Sequence, residues 1–263
     1  MFKRRLGRIL RPNGRSLIVA VDHAVLMGPA RGLEKPGKLL EAVVDGGADA
    51  VLTTFGVARN FGRQLAQTAL ILRADGGSTM LGQPAAMSQI YSVEAALQLG
   101  AEAVACMGFP GSRWEGQTLP YLAALAAECD RWGMALMAET LPRGFEGGDD
   151  ARTPGNLKLA ARIGAELGAD FIKTQYPGTV EAMREMTETC YVPVVVLGGS
   201  RMETDRQCLE VVRAALDGGA AGVAMGRNIW QHPEPAKMTR ALAGLIHHDL
   251  GTDEAMALAG LKG

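Results

Sequence analysis

The chain has 263 residues, of which 48% are hydrophobic and 21% charged, an ordinary globular composition with enough apolar content for one large core. Its 27 basic and 28 acidic residues leave a formal charge of −1, so no overall field draws it to nucleic acid or to a membrane surface, and any anion site must be local. Four scattered cysteines without CxxC spacing and a start (MFKRRLGRILRPNG) lacking a signal-type apolar run lead us to expect a reducing, cytoplasmic setting. The apolar runs are of strand length, too short to cross a bilayer.

The basic start, Lys3 to Arg15, reads as a short segment ahead of the fold proper, a solvated N-terminal helix. An apolar strand follows at 16 to 21 (SLIVAV). Four similar phrases then recur: GGADAV at 46 to 51, LGAEAV at 99 to 104, LGADFI at 167 to 172 and GGAAGV at 218 to 223. Each closes a helical pattern with glycine, where a left-handed cap is cheap, and opens an apolar strand. The joints are 53, 68 and 51 residues apart, room for two βα units in each gap. The intervening strands are assigned to STML at 78 to 81, ALMAE at 135 to 139 and VPVVVL at 192 to 197. Helical patterns alternate with them, such as 156 to 167 with Leu157, Ala160, Ala161 and Ile163 on one side. Eight such units predict an α/β fold, a single-domain (β/α)8 barrel over 1–263, with an open doubly wound sheet as the alternative.

In a parallel barrel chemistry gathers at the carboxyl ends of the strands, which gives polar residues there functional weight. The first strand ends in Asp22-His23: Asp22 suits a general base or a partner for a cation, or else it caps a turn beside a packed His23. The fifth ends in Glu139-Thr140-Leu141-Pro142-Arg143-Gly144, and Glu139 reads either as an acid near the sixth strand or as a structural ion pair to Lys173 or Arg143. In the sixth, alternation puts Phe171, Lys173 and Gln175 on one face. Turned inward, Lys173 would lose hydration, which favours the neutral, nucleophilic amine; turned outward it is a paired surface lysine. Tyr176 is a candidate proton donor or a packed loop aromatic.

The seventh and eighth strands end in Gly198-Gly199-Ser200 and Gly226-Arg227. Glycines there admit close backbone approach to an anion, Ser200 adds a hydroxyl and Arg227 a charge, the usual phosphate site of barrels, although glycine also forms turns. His23, His232, His247 and His248 make no three-ligand pattern, so no metal is expected, and His247 and His248 read as exposed helix residues.

In VDHAVLMGPARGLE (21 to 34), LPRG (141 to 144), GAELGADFIKTQYPG (164 to 178) and the stretches 195 to 205 and 222 to 235, the chain resembles the archaeal-type class I aldolase family. That group includes fructose-bisphosphate aldolases, 2-amino-3,7-dideoxy-threo-hept-6-ulosonate synthase and the thiolase of phosphorylated autoinducer-2. The resemblance implies a Schiff base at Lys173, proton transfer by Asp22, and a substrate phosphate held by Gly198, Gly199, Ser200, Gly226 and Arg227. It further implies a small phosphorylated sugar or ketone as substrate, no cofactor, and a homo-oligomeric ring, often a decamer. The chain departs from the family at Leu141, where a tyrosine acid is usual, at Glu139, usually aromatic, and at Ala24, where Asp-His is usually followed by glycine. Two other readings stand beside the aldolase: a coenzyme A-dependent retro-Claisen thiolase on a phosphorylated dione, and a non-catalytic sugar-phosphate-binding ring protein in which Lys173 merely pairs with Glu139.

Overall fold

The structure is a computed structural model that describes residues 3–82 and 87–261. Eight parallel strands close into one (β/α)8 barrel: β1 (Ser16–Ala20), β2 (Ala50–Thr53), β3 (Ala69–Arg73), β4 (Ala103–Gly108), β5 (Ala135–Thr140), β6 (Phe171–Thr174), β7 (Val194–Leu197) and β8 (Gly222–Met225), with β8 pairing back onto β1. Between them run the helices, among them Pro36–Asp45, Glu115–Trp132, Pro154–Glu166, Val180–Thr189, Asp205–Asp217 and Pro235–His248. Strand alternation divides the apolar side chains into two populations. Ile18, Leu52, Ile71, Met137, Phe171 and Val195 fill the lumen, while their sequence neighbours face the helices.

The recurring joints work as read. Gly47, Gly100, Gly168 and Gly219 carry φ of 97°, 75°, 96° and 91°, a left-handed turn that costs glycine little and ends each helix where the strand must begin. The acid after three of these glycines has a second task. Asp49 accepts from the N–H of Leu17 at 2.6 Å, Glu102 from Leu70 at 2.8 Å and Asp170 from Leu136 at 2.7 Å, so each satisfies the opening N–H of the preceding strand.

Three expectations need correction. The third strand is not STML at 78–81 but Ala69–Arg73, whose residues pair in register with both Ala50–Thr53 and Ala103–Ala105. A barrel strand must be covered on both faces; Ala69–Leu72 are buried throughout, whereas Met80 and Leu81 are 71% and 100% exposed in a turn-rich stretch between glycines.

Nor is the basic N-terminus a solvated helix. It crosses the amino-terminal end of the barrel, where Leu6 and Ile9 are buried against the lower lumen residues. Its cations meet the three joint acids: Arg11 pairs with Asp49, Arg8 with Glu102 at 3.1 Å and Lys3 with Asp170 at 2.8 Å. Lys3 itself is buried, and two carboxylates, Asp170 and Asp130, repay its desolvation. His247 also departs from its expected exposure, since its Nε2 lies 2.7 Å from Asp49 with both side chains covered; His248 is exposed.

Candidate active site

At the carboxyl ends of the strands the lumen opens into a cavity of about 640 Å³. Register dictates what meets there. Glu139 on β5 is the cross-strand partner of Lys173 on β6, so both side chains leave the sheet on the lumen face. Lys173 Nζ lies 2.9 Å from Glu139 Oε1, and both residues are buried. Between the two readings of Lys173 the structure selects the inward one, and the partner of Glu139 is Lys173 rather than Arg143, whose guanidinium pairs with Asp150 at 2.9 Å in solvent.

The centre of the site is a residue the sequence reading passed over. Arg73, the last residue of β3, is buried and holds three carboxylates. Its Nε bonds Asp22 Oδ2 at 2.8 Å, one terminal nitrogen bonds Glu139 Oε2, and the other lies 3.4 Å from Asp75 Oδ1. Asp75 is fixed in turn by the N–H of Met107 at 2.7 Å. Arg73 and Asp75 were missed because the third strand was placed nine residues late. The available signal was ALILR followed by Ala74-Asp75-Gly76-Gly77, an apolar run ending on a cation and an acid ahead of a glycine pair.

The electrostatics follow from this arrangement. Burial alone would push the Asp22 carboxyl up, but the Arg73 guanidinium, with His23 and Lys173 adding to it, holds it far below the usual carboxylate range. Glu139 is likewise desolvated and likewise held down, by Lys173 and Arg73 together against the repulsion of Asp22. Asp75 goes the other way: burial wins over Arg73 and over the Met107 N–H, and its carboxyl is raised. The arginine is locked in its charged form, because the three carboxylates outweigh its own desolvation.

His23 lies with Nδ1 3.4 Å from Asp22 and its ring edge-on to Trp230, at a centroid distance of 5.5 Å. The indole N–H of Trp230 donates to the carbonyl of Ala20 at 3.2 Å, which ties the segment after β8 to β1. Gly226 is required at this crossing. A Cβ there would stand 2.6 Å from the Ala20 oxygen and 2.8 Å from His23 Cε1.

On the far side, Gly198, Gly199, Gly226 and Arg227 line the cavity. Arg227 donates to the Ser200 hydroxyl at 3.4 Å, its Nε is buried without a partner, and no carboxylate among the described residues forms an ion pair with it. Asn228 braces this rim: its amide donates to the carbonyls of Gly198 at 2.9 Å and Ser200 at 3.3 Å and accepts from the N–H of Met202 at 2.8 Å. Two candidates stay outside the lining: Ser200, exposed and reached by Arg227 from the rim, and Tyr176. Tyr176 points away from the lumen and packs against the core between strands and helices, in keeping with its reading as a packed aromatic. Gln175, on the face of Lys173 as alternation places it, and Arg152, which the sequence reading did not name, line the cavity and bond each other at 2.8 Å.

Fold and site together define a (β/α)8 enzyme whose buried amine, salt-bridged carboxylates and cationic rim share one cavity. The chain belongs to the DeoC/LacD family of aldolases, whose sequence profile matches residues 16–232. It is 37% identical over 247 residues to the 2-amino-4,5-dihydroxy-6-oxo-7-(phosphonooxy)heptanoate synthase of Streptomyces griseus, covering 94% of this chain and 90% of that one. It is 35% identical over 252 residues to the 3-hydroxy-5-phosphonooxypentane-2,4-dione thiolase of Klebsiella pneumoniae, covering 95% and 83%. Among solved structures it superposes with a TM-score of 0.85, at 32% identity and over 93% and 98% of the two chains, on an archaeal fructose-1,6-bisphosphate aldolase whose catalytic lysine is covalently bound to the carbinolamine intermediate of its substrate. No described helix is long and apolar enough to cross a membrane.

Proposed function

We propose that Lys173 forms a Schiff base with a small phosphorylated ketone and that the protein makes or breaks a C–C bond next to the resulting imine. The observation that carries this reading is the Lys173–Glu139 pair, buried at 2.9 Å in a cavity whose other pole is the unneutralised Arg227. The neutral Lys173 amine attacks the carbonyl carbon, and one of its own protons passes to the oxygen, which becomes a carbinolamine hydroxyl. Glu139 receives the proton that Lys173 sheds. With Lys173 neutral, only Arg73 still holds the Glu139 carboxyl down, so burial favours its protonated form. Glu139 returns that proton to the hydroxyl, which leaves as water, and the iminium is formed.

The iminium is an electron sink. In the cleavage direction Asp22, ionised beside Arg73, accepts the proton of the β-hydroxyl. The C–C bond then breaks, its electron pair enters the enamine and an aldehyde departs; protonation at carbon and hydrolysis restore Lys173. Substrate phosphate is held by Arg227, Ser200 and the glycines of the two strand ends, where a double negative charge meets a cation with no competing carboxylate. His23 positions Asp22 rather than reacting itself. A homo-oligomeric ring in the cytoplasm is part of the reading, supported by family resemblance and tested by sedimentation.

The test is borohydride reduction in the presence of dihydroxyacetone phosphate, followed by peptide mapping. The expected result is one adduct on Lys173, absent in Lys173→Met. A protein that turns over phosphorylated ketones and yields no adduct at Lys173 would refute the mechanism. Binding of these compounds without turnover would favour a sensor instead. A second reading, retro-Claisen acyl transfer to coenzyme A, is favoured by one observation: among the described residues no tyrosine lines the cavity, Leu141 standing beyond Glu139 on β5. Product analysis with and without coenzyme A separates the two.

A further inference from the structure

The two ends of the cavity differ in kind. Toward β7 and β8 stands Arg227, whereas above the Lys173–Glu139 pair the lumen-facing positions turn apolar on the strands either side of β6, Gln175 beyond Lys173 being the polar exception. Met107 is the cross-strand partner of Glu139, Leu141 lies one lumen-facing step beyond it on β5, and Leu197 lies one such step beyond Val195, the partner of Lys173. Met87 is buried against this group, and Phe145, 54% exposed, flanks the same opening.

We infer that this half of the cavity, with Leu141 at its centre, is an acceptor subsite for an uncharged aldehyde bearing an aliphatic or aromatic group. The inference rests on the reading of Lys173 as the imine-forming residue. In the synthetic direction the donor's iminium loses an α-proton to give the enamine. The enamine carbon bonds to the aldehyde carbon, the aldehyde π bond opens to an alkoxide that takes up that proton, and water releases the aldol from Lys173.

The physical argument is desolvation. A phosphate or carboxylate placed among Met87, Met107, Leu141 and Leu197 would lose its water to four apolar side chains, with donors only at the Gln175–Arg152 edge, while an alkyl or phenyl group loses nothing there and covers Phe145. The cation on that side, Arg152, has its terminal nitrogens engaged by Gln175 Oε1 at 2.8 Å and by the carbonyls of Gly144 at 2.6 Å and Gly147 at 3.3 Å, which leaves only its buried Nε without a partner. It braces the turn that carries Phe145.

The experiment has two arms. With dihydroxyacetone phosphate as donor, kcat/KM is measured for propanal, butanal and benzaldehyde against glyceraldehyde 3-phosphate and glyoxylate, in wild type and in Leu141→Lys. Expected are a preference of about tenfold or more for the apolar aldehydes in wild type and an anionic-to-apolar ratio raised about tenfold in the variant. The ratio is read within each protein, so a general loss of activity cancels. In the second arm, benzyl alcohol is titrated into protein carrying 13C-methyl methionine, and Met87 and Met107 are expected to shift while glycolate leaves them in place.

A wild-type preference for the anionic aldehydes, a ratio unmoved by Leu141→Lys, or unshifted Met87 and Met107 methyls would each overturn the inference. Anionic preference lost on Arg152→Gln would reassign the subsite to Arg152. Failure of borohydride trapping with methyl shifts present marks failure of the imine reading alone, and the subsite then stands as an apolar binding site.

Discussion

Replacing Arg73 by Met isolates the electrostatic design of the site. In the wild type three carboxylates (Asp22, Asp75, Glu139) share the lumen with two cations (Arg73, Lys173); the variant leaves three against one. Removing one partner of a buried ion network costs about 3–5 kcal/mol, because the remaining charges are neither solvated nor paired. The contribution of Asp22 to the pH dependence should also change sign. In the wild type Asp22 and Glu139 are held below their unfolded values, so their contribution is fully present above about pH 4.5 and is lost as pH falls through the lowered values, while the raised Asp75 contributes in the opposite sense in both proteins. Without Arg73, burial dominates at Asp22, its folded value moves above the unfolded one, and the folded state holds the extra proton. Stability then falls as pH rises from about 4, at up to about 1.4 kcal/mol per pH unit for each such proton. Urea denaturation from pH 4.5 to 8 reads this directly: a large deficit at pH 8 should shrink toward pH 5. A variant within about 1 kcal/mol of wild type at every pH would show that Arg73 does not offset the buried acids.

Ile9→Ala should cost about 2–5 kcal/mol in urea melts although it lies far from the active site, since Ile9 is fully buried where the N-terminal segment closes the barrel. A change within error would mean the segment is not docked in solution. Asn228→Ala removes three hydrogen bonds that hold Gly198, Ser200 and Met202 together, each of which contributes about 0.5–1.5 kcal/mol. Inhibition by inorganic phosphate should weaken about tenfold while saturating substrate still traps on Lys173; unchanged phosphate inhibition would place the anion elsewhere.

The barrel was legible because its joints repeat. Glycine at a helix end followed by an apolar run is a local signal, and its doubled spacing counted eight strands without any tertiary knowledge. Lys173 and Glu139 were legible for the same kind of reason: alternation assigns each a face, and an ionisable side chain at a strand end stands out against its apolar neighbours.

The third strand was not legible in this way. Ala69–Arg73 and 78–81 are both short and apolar enough, and what distinguishes them is pairing with β2 and β4, a property of the assembled sheet. With that strand went Arg73, so the candidate acids were legible without the cation that sets their charge. Arg73 meets Asp22 across 51 residues and Glu139 across 66. The N-terminal basic run likewise looked like a solvated face until closure of the barrel brought Asp49, Glu102 and Asp170 to the same end. Sequence alone determined the fold, the lysine and the glycine-lined strand ends, since each is encoded in local period and turn chemistry. Only the tertiary structure decided how the site is charged, because burial and long-range pairing, not residue type, set the protonation of Asp22, Asp75 and Glu139.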